Sequence, residues 1–296
     1  MTTLSNNILS VEISNLGAEI TSLLHNGRQY IWQADPAYWK RHAPILFPIV
    51  GKLIDNTFIH NGEQYHLPQH GFARDSDFES IELRNDTASF RLRPTPDTLK
   101  NFPFDFELTA RYTLDNNTLH CHWSVTNPGT ADLHFQIGAH PAFLYPLFQT
   151  QSQNRGYLQL INSNAPLSQI SLSTLSADGY ILPTQQQITL ENGCLPLQEH
   201  TFDKGAFVLE NSQVQRAILI DCDKNPILDI SFDDAPVLGI WSPSKPFCPF
   251  VCIEPWHGRC DPITCIATPL SFAERDWTEH LAPKQSFHFD YSITIY

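Results

Sequence analysis

The sequence has no block of lysines and arginines, no apolar run approaching the roughly 18 residues that span a bilayer, and almost no segment with a helical period. Its formal net charge is −13, from 18 basic and 31 acidic residues. Without a basic patch there is no electrostatic footprint for nucleic acid or for an anionic membrane, so neither is expected as a partner. One local cation can still hold one phosphate group. The start, MTTLSNNILSVEIS, has no basic region leading into a long apolar run, so no signal peptide is expected. Seven cysteines are an odd number, and no paired C-x-x-C spacing occurs among them. Reduced thiols in a cytoplasm are the simplest reading.

What is present is strand chemistry. Short runs such as LSVEIS (9–14), FESIEL (78–83), ASFRLR (88–93), DFELTARYTL (105–114), TLHCHWSVTN (118–127), VQRAILI (214–220), PILDISF (226–232) and FHFDYSITIY (287–296) recur from end to end. Several alternate apolar and polar residues, the period of a half-buried strand. Turn signals separate them, among them Asn61-Gly62, Asp115-Asn116-Asn117 and Asn127-Pro128-Gly129. TPDTLKNF (95–102) and part of 262–275 are candidate short helices. The expectation is an all-β chain, a large antiparallel β-sandwich with few short helices, in a single domain over 1–296. Residues 150–155 and 163–200, rich in Gln, Ser, Asn and Leu, read as a loop-heavy insertion.

Four stretches carry chemistry. In CIEPWHGRCD (252–261), an apolar run delivers Glu254, and Pro255 favours an extended conformation at Glu254. A carboxylate at a strand end beside Trp256 suits a general base, and a flat indole suits the C–H face of a sugar. The alternative is a solvated carboxylate. In LPQHGFARD (67–75), His70, Arg74 and Asp75 share a short glycine-containing loop, which is either a site held by strands or an exposed turn. In QIGAHPAF (136–143), His140 has small neighbours that permit close approach of a ligand; the alternative is a core histidine bonded to backbone. In FDDAPVLGIWSPS (232–244), Asp233 and Asp234 precede an apolar strand ending at Trp241, and a carboxylate there could accept sugar hydroxyls or simply form a turn. YWKRHAPILFPIVGK (38–52) is either a buried strand closing in a turn or a pocket wall tipped by Lys52. Cys248, Cys252, His257, Cys260 and Cys265 crowd one stretch, but their spacing does not match a zinc motif, and free cysteines are expected.

The blocks LPQHGF with Arg74, IGAHPAF with His140 and IEPWHGRCD with Glu254, together with NLGAEITSLLHNGRQYIWQADPAYWKRHAPILFPIVGKL and VLGIWSP, resemble the aldose 1-epimerases, closest to the bacterial LacX-like branch. The resemblance implies a galactose mutarotase-like supersandwich with a pocket on a concave sheet face. It implies His140 as general acid, Glu254 as general base and His70 as a substrate-binding histidine. Arg74 falls where that branch carries a basic residue, and Lys52 where relatives often carry arginine. Asp234 is the candidate for the family's sugar-binding aspartate. Trp241 and Trp256 could stack on the sugar. Anomer interconversion needs a proton taken from O1 and one given to the ring oxygen O5. It calls for no redox cofactor and no metal. The expected arrangement places the acid and base on opposite sides of the ring, with the carboxylate keeping the imidazole protonated. A non-catalytic sugar-binding protein and an enzyme for hexose 6-phosphates are the competing readings.

Overall fold

The structure is a computed structural model that describes residues 1–145, 154–267 and 270–296. The expected antiparallel β architecture is what forms. Two large sheets, one of ten strands and one of eight, are accompanied by a four-stranded sheet built from the first 29 residues. The ten-stranded sheet holds the long hairpin Glu107–Asp115 and Thr118–Thr126, which pairs onward with the C-terminal strand Ser286–Ile295. Burial alternates residue by residue along Glu107–Asp115, as the sequence pattern demands of a strand with one face toward a core. The hairpin Thr57–His60 and Glu63–His66 turns at Asn61-Gly62, both residues in the left-handed conformation that this dipeptide supplies.

The two large sheets pack on a shared apolar core. Leu108, Tyr112, Trp123 and Phe289 from one sheet meet Ile137, Phe143, Val251 and Ile253 from the other in one cluster. Only one α-helix is described, Pro96–Asn101, started by proline in its first turn and capped by Thr95, whose hydroxyl accepts from the Thr98 N–H. The segment 262–275 contributes two single 3₁₀ turns, Ile263–Cys265 and Phe272–Glu274.

The loop-heavy reading of 163–200 is corrected. This stretch holds the strands Gln169–Leu175, Ile181–Thr189 and Cys194–Gln198. Most of Ile181–Thr189 is exposed, so polar residues fill it and the apolar alternation that marks a strand is missing. Asn154 and Arg155 likewise begin the strand Asn154–Asn162, whereas 150–153 lie outside the described residues.

Candidate active site

The site is built on the strand Phe250–His257, in the middle of the eight-stranded sheet and buried along its whole length. Glu254 therefore lies inside a strand rather than at its end, and Pro255 is inside it too. The proline is tolerated because the neighbouring ladder is broken there. On one flank Val237–Trp241 pairs continuously, with Gly239 opposite Glu254. On the other flank Ile137–Ala139 pairs with one end of the strand and Ala142–Leu144 with the other. Both halves keep the same register, which sets His140 directly opposite Glu254 across the gap. The Ile253 N–H points into this flank and reaches the Pro141 carbonyl at 3.2 Å. Two residues on, the same direction falls to Pro255, which has no N–H to give, and Pro141 has none to return. The sheet opens at this point and leaves room for two side chains.

Alternation then divides the strand. Val251 and Ile253 enter the main core, while Phe250, Cys252, Glu254 and Trp256 face the other way. Glu254 Oε2 lies 3.1 Å from His140 Nε2. Glu254 is 1% exposed and His140 7%. The contact is not aligned as a hydrogen bond, so Glu254 Oε2 is a buried polar atom without a hydrogen-bond partner, as is His140 Nδ1 on the other edge of the ring. Burial pushes the Glu254 carboxyl well above its ordinary 4.5, with the Trp256 side chain opposing it. Burial pushes His140 down to about 3, reinforced by Arg74 and Arg41. Both directions favour uncharged groups. Burial thus works against the protonated imidazole expected from a nearby carboxylate, and the uncharged pair carries one proton. The expectation of an acid and base facing each other across a ring is corrected too, since both stand side by side on one wall.

A pocket of about 420 Å³ opens over this pair, within the usual range of small-molecule sites. Lys52, His70, Arg74, Trp241 and Trp256 line it with the pair, as do Trp39 and Gln69. The Trp39 ring stacks on His140 at 4.8 Å and 24°, and Trp241 meets the imidazole edge-on at 5.9 Å. His70 stands perpendicular to His140 at 5.6 Å. The Gly51 N–H donates to His70 Nδ1 at 3.1 Å, which places the proton of the neutral ring on Nε2. Burial, then His140, Arg74 and Arg41, hold His70 well below its ordinary value, so it enters the pocket as an uncharged donor. His70 and Gly71 both have positive φ. Gly71 is needed for packing rather than to free the imidazole: a Cβ there would lie 2.3 Å from the Phe47 carbonyl oxygen.

Small residues beside His140 likewise serve the protein, not a ligand. Trp256 lies flat across both neighbouring strands, and a Cβ on Gly138 or Gly239 would come within 2.4 or 2.3 Å of its ring. Its N–H donates to the Ala139 carbonyl at 3.2 Å. At the rim, Lys52 Nζ sits 5.0 Å over the Tyr180 ring and reaches the Asp178 carbonyl at 3.4 Å. Arg74 donates to the Gln69 carbonyl at 2.6 Å and shares Asp75 with Arg41.

Asp234 is not part of this constellation. Its side chain is 55% exposed and its carboxylate lies 3.8 Å from His257 Nε2. His257 points to the opposite face of the sheet from Glu254, against Phe287 and Phe289. Asp234 instead borders a separate surface hollow with His120 and Asp290. Sequence reading missed Trp39, Gln69 and Arg41. Trp39 and Arg41 sit in the 38–52 stretch, where the pocket-wall reading covers them, and Gln69 precedes His70 in the 67–75 loop. Of the crowded cysteines, Cys252 lies near His140 and Glu254, and the three ligand atoms fall within 4.8 Å of one another.

The family model described as Aldose 1-epimerase matches residues 1–265. The chain is 32% identical to the chromosomal protein LacX of Lactococcus lactis subsp. lactis, over 99% of this chain and 98% of that protein. A galactose mutarotase related enzyme from Lactobacillus acidophilus superposes with a TM-score of 0.90 at 32% identity, over 99% of this chain and 96% of the other. A galactose mutarotase-like protein from Lactobacillus casei superposes with a TM-score of 0.91 at 28% identity over the full length of both.

Proposed function

We propose, from the premise that this chain belongs to the aldose 1-epimerase family, that it interconverts the α and β anomers of an aldose in the pocket over His140 and Glu254. The observation that carries the reading is the 3.1 Å separation of His140 Nε2 and Glu254 Oε2 on the pocket wall. O1 and O5 of a pyranose hang on the same carbon, so the groups that serve them must be close neighbours. Glu254 is the base for O1 and His140 the acid for O5. As sugar hydroxyls enter, they solvate the carboxylate and lower its proton affinity, and the single proton of the pair passes to the imidazole. Ring opening then moves the O1 proton to Glu254 and the imidazole proton to O5. C1 becomes an aldehyde, C1–C2 rotates, and closure on the other face returns both protons. His70 Nε2–H would exchange its 3.3 Å contact with the Gln69 amide for a sugar oxygen, and Trp39, Trp241 and Trp256 would give the ring apolar faces.

The pocket's charge favours a second reading of the substrate. Lys52 and Arg74 line it, Arg41 stands behind Arg74, and the carboxyl among the lining groups is held uncharged. An aldose carrying a phosphate, such as a hexose 6-phosphate, would complement that charge better than a neutral hexose. Anomer-exchange assays over matched free and phosphorylated aldoses test both readings. Exchange accelerated for either class supports turnover, and saturable binding without acceleration of any of them would make the chain a sugar-binding protein instead.

A further inference from the structure

We propose that His140, Cys252 and Glu254 form a binding site for a soft divalent cation, zinc above all, at the wall of the pocket, where His140 and Glu254 line the cavity and Cys252 is buried behind them. The imidazole nitrogen, the thiol sulfur and a carboxylate oxygen lie within 4.8 Å of one another, and all three residues are buried. Three such atoms around a tetrahedral zinc ion, at bonds of about 2.0–2.3 Å, stand about 3.5 Å apart. The imidazole and carboxylate are already at 3.1 Å. The thiol lies within 4.8 Å of both, so it has at most about 1.3 Å to close.

A second observation points to a ligand here. Glu254 Oε2 is sealed from water and makes no aligned hydrogen bond, although His140 Nε2 lies 3.1 Å away. Buried polar atoms are seldom left so unless something else satisfies them. The donor set, one thiolate, one imidazole and one carboxylate with the pocket above it, matches zinc sites with three protein ligands and one open position. Charge also closes. Zinc displaces the thiol proton and the carboxyl proton and leaves an uncharged complex, which a buried setting tolerates and a bare cation beside Arg74 and Arg41 would not. His70, Cys260 and the cations Lys52 and Arg74 are the other titratable groups lining this space, and Arg41 acts on His140 from beyond the lining.

The consequence for turnover rests on the reading under Proposed function: a bound ion engages both proton-transfer groups and excludes the sugar. Binding itself does not depend on that reading. The test is titration of the full-length purified protein with cobalt(II), a spectroscopic stand-in for zinc. The expected result is a near-ultraviolet thiolate-to-cobalt charge-transfer band that zinc abolishes by displacement, with proton release into weak buffer on zinc addition. Cys252→Ser should lose the band and weaken zinc binding at least ~100-fold, whereas Cys248→Ser and Cys260→Ser should keep the band. Should Cys252→Ser fail to fold, judged by circular dichroism, His140→Asn is the substitute and should weaken cobalt binding by a similar factor. No band in the wild type, or a band that survives loss of Cys252, overturns the proposal. Zinc inhibition of anomer exchange, competitive with sugar, is the separate arm that tests the link to turnover.

Discussion

His140 and Glu254 are cross-strand partners in a ladder that has been opened between them. The strands on either side of the gap share one register, and Pro141 and Pro255 withhold the hydrogen bonds that would have zipped it closed. A buried acid on a central strand is a stability cost that the core does not require. Folded Glu254 titrates above its ordinary 4.5, so above that pH the unfolded chain releases a proton that the folded chain retains. Stability contributed by this residue is therefore greatest at low pH and falls as pH rises toward the folded value. Glu254→Gln should raise resistance to denaturant, with the advantage over wild type growing by at most about 1.4 kcal/mol per pH unit in that window. Urea unfolding at a series of pH values checks this; a variant less stable than wild type at high pH would contradict it.

The pH dependence of rate follows from the same pair. Its one-proton form persists until His140 takes a second proton, and burial has moved that event down to about 3. Rates of anomer exchange, corrected for the uncatalysed reaction, should hold level as pH falls from about 7 to about 5. An acid limb centred near 6.5 would mean that an ordinary imidazole controls the reaction.

Trp256 depends on two missing side chains. Gly239→Ala places a Cβ 2.3 Å from the far end of the indole. The ring must move, which should lower stability by about 1–3 kcal/mol and raise KM, because the ring forms part of the pocket wall. Thermal unfolding and saturation kinetics on the same preparation separate the two effects; unchanged stability would place the ring elsewhere.

Much of the fold was legible because the ten-stranded sheet has one face toward the core. Alternation in Glu107–Asp115 and turn chemistry at Asn61-Gly62 report that geometry directly. Ile181–Thr189 hid because its surroundings ask for no apolar side chains. The site was legible in part for a different reason. His70, His140 and Glu254 each sit in a short stretch with recognisable neighbours, but Trp39 joins the pocket only because a distant segment stacks it on His140. Asp234 failed for want of facing: it precedes the strand beside Glu254, yet its carboxylate turns toward His257 on the opposite side of the sheet.

That failure is itself testable. Asp234→Asn should leave anomer exchange within about 2-fold of wild type, because outside the pocket it has no hydroxyl to hold and surface changes are usually small in effect. A loss of 100-fold would return Asp234 to the site and require the hollow beside His257 to be the place of reaction.

The pairing of His140 with Glu254 is tested most directly by exchange NMR on equilibrating α and β anomers of the best aldose, free or phosphorylated, with wild type, His140→Asn and Glu254→Gln at matched, folded concentrations. Each substitution should slow exchange by at least ~100-fold, and the double variant should be scarcely slower than either alone, because the two groups act on one proton. Wild-type rates in either variant would contradict the mechanism.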